Sequence, residues 1–206
     1  SEIGRLLPLS ERYSIPRLIR SFESCVPCSL MTYATGDNCY PRTFDIAGRP
    51  HVEGIGPTAG IEVFRKLGEI GAAFTTVQGM RFGAPLHPQY RSAVEYIKAQ
   101  TDPIEAGILS NDSLDLTRYG TTVSELRQIV EWVKRDAGNQ HVSFLRHGDL
   151  SPWNLLHDAQ SDTWSMVDGD DARYGVLGEQ IGVALNSMRG NAHQAWVDAL
   201  LDGYGA

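Results

Sequence analysis

The chain has 206 residues, 42% of them apolar and 21% charged, with a net charge of −7. It is long enough for one substantial core, carries no run of about 18 uncharged apolar residues, and so excludes a membrane-spanning helix. Residues 1–148 hold 16 acidic and 16 basic side chains; residues 149–206 hold nine acidic side chains against Arg173 and Arg189. An acidic excess concentrated in one segment repels nucleic-acid phosphates and attracts metal ions or cationic ligands.

The opening lacks a basic stretch followed by an apolar run, so no signal peptide is expected. Three cysteines (Cys25, Cys28, Cys39) do not make a disulfide framework, which points to a reducing, cytoplasmic setting. Residues 2–12 place Ile3, Leu6, Leu7 and Leu9 at helical spacing. Arg17–Glu23 and Cys28–Tyr33 read as two antiparallel strands around Ser24-Cys25-Val26-Pro27. Residues 37–57, rich in Gly, Pro and Asp, read as a loop. Ile61–Val77 puts Ile61, Phe64, Leu67, Ile70, Phe74 and Val77 on one helical face, with Gly79 as the stop. A further helix is expected over Tyr90–Ala99. Thr122-Val123-Ser124-Glu125 is a capping box that opens a helix with Leu126, Ile129, Val130 and Val133 inward, closed by Gly138. Short strands follow at Val142–Leu145, Asn154–His157 and Trp164–Asp168, then helices at Gly178–Met188 and His193–Leu201. The fold class is α+β, mostly helical after residue 58, with no strong interior linker.

Chemistry concentrates in one stretch. His147-x-Asp149-x-x-x-x-Asn154 is followed by an apolar strand ending in Asp168. The first part arises by chance in roughly one sequence of this size and composition in a hundred. Asp149, on a polar loop, suits acceptance of a proton from an attacking hydroxyl. Asn154 offers a neutral oxygen and Asp168 an anionic one, the donor types that Mg²⁺ takes beside nucleotide phosphates. A hairpin turning around residues 158–162 would bring Asn154 and Asp168 to the same end. Asp170 and Asp171 are open between binding a cationic substrate or second metal and simple solvation. Trp153 is open between packing and a ligand platform. Cys25-Val26-Pro27-Cys28 reads as a turn rather than a redox pair or half a zinc site.

His147-Gly148-Asp149-Leu150-Ser151-Pro152-Trp153-Asn154-Leu155-Leu156 resembles the catalytic loop of the aminoglycoside phosphotransferase and choline kinase superfamily, relatives of the protein kinases. Val167-Asp168-Gly169-Asp170-Asp171-Ala172 is similar to that family's metal-binding segment. Weaker similarities cover Ile70–Gln78, Leu30–Gly36 and the opening from Glu2 to Arg17. The resemblance implies a protein-kinase-like fold, with residues 1–36 as a remnant of the N-terminal lobe and hinge, and 37–206 as the helical C-terminal lobe. It implies ATP- or GTP-dependent phosphoryl transfer to a hydroxyl of a small, cationic acceptor such as an aminoglycoside or an amino alcohol. Partners would be the nucleotide and that acceptor, with no nucleic acid and no membrane. Implied roles are Asp149 as catalytic base, His147 as a loop-bracing residue, Asn154 and Asp168 as Mg²⁺ ligands, Met31, Thr32, Tyr33 and Ala34 as the adenine-binding hinge, and Glu2 as partner of a phosphate-contacting lysine. The only lysines are Lys66, Lys98 and Lys134, all in helices expected after the hinge. A strand lysine and phosphate-covering loop are therefore absent from 1–206, as in a truncated or degenerate kinase. The family commonly braces its catalytic loop with an Asp where this chain has Glu179-Gln180, with Glu179 the expected substitute. Two other classes compete: a non-catalytic kinase-like binding module, and a metal-dependent hydrolase using the same acids.

Overall fold

The computed structural model describes residues 18–22, 28–31, 34, 36–38, 43–44, 50–51, 57–83, 88–111, 114–116, 121–169, 171–188 and 194–205. The expected opening helix, Glu2, Thr32, Tyr33, Cys25, Cys39 and Asp170 lie outside them. The chain divides into two compact units. One comprises Ser1–Val77, Leu145–Ala172 and Gly178–Ala206; the other comprises Gln78–Phe144 and Arg173–Leu177.

In the first unit, β1 (Leu18–Phe22) and β2 (Cys28–Met31) pair antiparallel, with Arg20 opposite Leu30 and Phe22 opposite Cys28. This is the hairpin expected from the sequence. The segment expected as loop contains three two-residue strands: β3 (Asp37–Asn38), β4 (Thr43–Phe44) and β5 (Pro50–His51). Helix α1 (Pro57–Thr75) starts four residues earlier than Ile61 and stops before Gly79. Proline is well placed at a helix start, where its missing N–H has no partner to lose. The helix end is fixed by Thr75 and Thr76, whose hydroxyls donate to Ala72 O and Ala73 O at 2.6 and 2.7 Å. Its inner face buries Val63, Phe64, Leu67, Ile70 and Phe74.

Two helices close this unit: α4 (Glu179–Ser187) and α5 (Gln194–Tyr204). Helix α5 lies directly on α1, and the approach needs glycine. A Cβ on Gly68 would sit 2.2 Å from Leu200 O, and one on Gly203 would sit 2.1 Å from Arg65 O. Phe64 and Trp196 stack across the same contact with ring centroids 5.3 Å apart.

In the second unit, β6 (Gln78–Gly79), β7 (Phe82–Gly83), β8 (Pro88–Tyr90) and β12 (Arg173–Gly175) join β9 (Ser143–Arg146), of which Ser143 and Phe144 belong to this unit, in a sheet of order β6-β9-β12-β7-β8. Gln78 and Gly79 are thus strand, not a helix stop. Helix α2 (Ala93–Ile104) is capped by Ser92, whose Oγ accepts from Glu95 N at 3.1 Å. It continues through Pro103 into a wide π-helical turn, Glu105–Leu109. Helix α3 (Val123–Ala137) begins with the expected capping box: Glu125 N donates to Thr122 Oγ1 at 3.2 Å and Thr122 N donates to Glu125 Oε2 at 2.8 Å. The Thr122 hydroxyl also donates to Glu125 Oε2 at 3.0 Å, and this bond, followed by those from the Thr122 N–H and the Thr121 hydroxyl, holds the Glu125 carboxyl below its ordinary pKa. Val123 and Val130 are buried, but Ile129, expected inward, is 52% exposed. The core here joins Phe82, Ala93, Tyr96, Ile97 and Ala137. No helix among the described residues is long and apolar enough to cross a membrane.

Candidate active site

The catalytic and metal-ligand candidates lie in the first unit, on the loop after β9, in a tight turn and just beyond a hairpin. After β9 the chain passes through His147 and Gly148 to Asp149. Gly148 has φ of +97°, and a Cβ there would meet Asp171 O at 2.2 Å. Only glycine satisfies both the left-handed backbone and the close approach of the 168–172 segment. Pro152 then opens a single 3-10 turn, Pro152–Asn154, closed by Asn154 N donating to Ser151 O at 3.0 Å. The turn leads directly into β10 (Leu155–Asp158).

Strand β10 pairs antiparallel with β11 (Thr163–Met166), with Leu155 opposite Met166 and Asp158 opposite Thr163. The ladder extends one step further, where Val167 N donates to Asn154 O at 3.0 Å. Asn154 and Asp168 therefore leave the same end of one hairpin, the arrangement expected from its turn. Asp168 does not end the strand as expected. It stands two residues beyond it with φ of +62° and is exposed. Asp is among the few non-glycine residues that adopt this conformation readily.

Asn154 is 6% exposed, and its Nδ2 donates to both Asp149 O and Asp149 Oδ2 at 3.0 Å. Its two N–H bonds are thereby spent, leaving Oδ1 as the side-chain atom able to meet a cation. Asp149 is half-buried. Its Oδ1 accepts from Ser151 Oγ and its Oδ2 from Trp153 Nε1 at 3.3 Å. Among the described residues, no group of three His, Cys, Asp or Glu side chains forms a metal cage. One neutral oxygen and one carboxylate suit Mg²⁺, which keeps waters and takes its remaining ligands from substrate phosphates.

His147 is buried, with its ring edge-on to Phe74 at 5.7 Å. Burial pushes its pKa below the ordinary value, against the pull of the Asp149 and Asp168 carboxylates. Its backbone N–H donates to Gln180 Oε1, and Gln180 Nε2 donates to Gly71 O at 3.0 Å. Gln180, 3% exposed, thus ties the start of the His147–Asn154 loop to α1. Glu179, the residue expected in this place, instead pairs with Arg146 Nη1 at 2.8 Å. The displacement by one residue follows from helix geometry, because neighbours on a helix point about 100° apart.

Among the hinge candidates, Met31 ends β2 and Ala34 is buried. Two residues on, Gly36 has φ of +118°, and a Cβ there would meet Asp158 N and the His157 carbonyl carbon at 2.8 Å. That approach lets β3 pair with β10, Asn38 opposite Leu156 and Asp37 opposite His157. The segment after the hinge candidates is therefore sewn to the hairpin that carries Asn154. Asp171 is exposed.

A kinase-like loop, a hairpin offering an amide and a carboxylate at one end, and a strand from the hinge region beside it define the class of fold. The sequence matches the phosphotransferase enzyme family over residues 10–206, and the chain belongs to that family. Its fold is similar to that of an aminoglycoside-3'-phosphotransferase of type VIII (16% identity, TM-score 0.54, 99% of this chain and 71% of that one). It is also similar to the macrolide 2'-phosphotransferase MphH from Brachybacterium faecium (17% identity, TM-score 0.56, 98% and 62%). A third similar structure is the aminoglycoside phosphotransferase APH(3'')-Id from Streptomyces rimosus in complex with ADP and streptomycin (15% identity, TM-score 0.50, 99% and 74%). The chain spans less than two thirds of MphH and about 71–74% of the other two. No curated protein matches the sequence.

Proposed function

We propose that the chain transfers the terminal phosphoryl group of ATP or GTP to a hydroxyl of a small cationic molecule of aminoglycoside or amino alcohol type. The observation that carries this reading is Asp149, held by its own loop beside the hairpin end from which Asn154 and Asp168 emerge. The ADP and streptomycin held by the Streptomyces rimosus relative support a nucleotide and a small acceptor. The acidic excess of residues 149–206 supports a cationic one.

In this reading Asp149 accepts the hydrogen bond of the acceptor hydroxyl, aims its oxygen at the phosphorus and receives its proton as the phosphoryl group arrives. Asn154 Oδ1 and the Asp168 carboxylate would hold Mg²⁺, which when bound neutralises charge on the nucleotide phosphates. Met31–Ala34 would contact the base, and residues 1–36 would form the nucleotide side of the site. Glu2 is proposed as the partner of a phosphate-contacting lysine, and Asp170 and Asp171 as contacts for the acceptor's amines. The setting proposed is the cytoplasm, where the nucleotide is abundant and the cysteines stay reduced.

The test is transfer of label from γ-³²P ATP or GTP, with magnesium, to streptomycin, erythromycin and choline in parallel. Labelled acceptor that disappears on chelation of magnesium is the expected result. Nucleotide binding without turnover on any acceptor would instead identify a binding module.

A further inference from the structure

Three donors converge on the catalytic carboxylate, and only one of them belongs to the proposed metal site. Ser151 Oγ donates to Asp149 Oδ1, Trp153 Nε1 donates to Oδ2 at 3.3 Å, and Asn154 Nδ2 donates to Oδ2 at 3.0 Å. Ser151 is 1% exposed and Trp153 8%, so water competes poorly for either donor. The turn makes this possible. Ser151 N donates to Asp149 O at 2.9 Å and Asn154 N to Ser151 O at 3.0 Å, folding residues 151–154 back over Asp149.

We propose that Ser151 and Trp153 are positioning residues for Asp149. Ser151 holds one carboxylate oxygen and the Trp153 indole N–H holds the other, and together they set the plane of the group. This assigns Trp153 neither to packing alone nor to a stacking platform. The physical need is clear from the rotamers of aspartate. Its terminal torsion is broad and roughly two-fold, so Asn154, acting on Oδ2 alone, leaves the carboxylate free to swing. Donors on both oxygens remove that freedom. A carboxylate offers about four lone-pair sites, so three donors leave one for the acceptor hydroxyl. Misplacing a reacting group by about 1 Å costs on the order of a hundredfold in rate.

The kinetic consequence rests on the transferase reading, but the contact itself does not. The chain has four tryptophans, Trp132, Trp153, Trp164 and Trp196, and hence four indole N–H resonances. The one lost in Trp153→Phe is assigned to Trp153. In Asp149→Ala that resonance should move upfield while the other three stay in place, which also reports an intact fold. A Trp153 resonance indifferent to Asp149→Ala overturns the proposal whatever the activity. In the kinetic arm, with MgATP and the best acceptor, Trp153→Phe and Ser151→Ala should each lower kcat about 5–50-fold and leave both KM values within about twofold. Ser151→Thr, which keeps the hydroxyl, should recover most of the loss. Variants that raise KM and lower Tm together, without rescue by threonine, would show a structural role and overturn the proposal. A wild-type chain that shows the indole shift but labels no acceptor overturns the transferase reading and supports the cradle.

Discussion

Gln180 occupies a position where a residue can hold two elements only by being both donor and acceptor. Its Oε1 takes the His147 N–H and its Nε2 gives to Gly71 O, so one neutral amide satisfies a buried donor and a buried acceptor from segments far apart in sequence. Gln180→Ala should leave both unpaired, at about 1–3 kcal/mol each, and lower the unfolding free energy in urea by about 2–6 kcal/mol. Gln180→Glu keeps the acceptor for His147 but turns a carboxylate oxygen toward Gly71 O. It should therefore also destabilise, more at pH 7 than at pH 4, where a protonated carboxyl can donate again. A Gln180→Ala protein within about 0.5 kcal/mol of wild type would show that the bridge carries no load. The sequence pointed to this pair of positions but to the wrong member. The partners of Gln180 are backbone atoms, which no side-chain pattern announces, whereas the charge of Glu179 drew attention and is spent on Arg146.

Helices α1 and α5 pack closely enough for glycines to decide the contact. A Cβ at Gly68 would need Leu200 O and Tyr204 N, at 2.2 and 2.8 Å, to move. Both are backbone atoms, so Gly68→Ala should cost about 1–3 kcal/mol by overpacking, read as a lower Tm. Gly182, inside α4, meets nothing within 4 Å. Gly182→Ala should stabilise by about 0.5–1 kcal/mol through helix propensity, and equal effects at the two sites would refute the packing argument. At this scale the legible elements were those with a strong periodic signal or a cap. Residues 57–75 show an apolar stripe, Thr122–Glu125 a reciprocal box, and residues 155–166 two strand runs around a polar turn. The missed elements β6, β7, β8 and β12 are two or three residues long, too short to establish a period of two. Their pairing is decided by partners such as Gly83 opposite Tyr174. Ile129 misled for a related reason, since an apolar residue at helical spacing faces inward only if another element covers that side of α3.

For the whole molecule, the site was legible because its chemistry is written into consecutive residues, and geometry adds one coupling that spacing could not supply. Asn154 serves two groups at once, giving its N–H bonds to Asp149 while its Oδ1 would face the cation. Three substitutions should therefore separate. Asp149→Asn should lower transfer by about 10²–10⁴-fold and leave MgATP affinity nearly unchanged, because in the proposed reading that carboxylate acts on the acceptor hydroxyl. Asp168→Asn should weaken MgATP binding about tenfold or more and lower turnover with it, since the proposed Mg²⁺ would lose an anionic ligand. Asn154→Ala should weaken MgATP binding less than Asp168→Asn, as the lost ligand is neutral. It should nevertheless lower kcat at saturating nucleotide, because Asp149 loses one of the two donors to its Oδ2. Calorimetry with MgATP and initial rates on the same three proteins give the two axes. A hydrolase using these acids as one metal cluster would lose metal at Asp149 as well as at Asp168. A binding module would have no turnover to lose. If Asn154→Ala altered nucleotide affinity alone, the coupling of metal ligand to catalytic carboxylate through its amide would be wrong, and Asn154 would act on the metal side only.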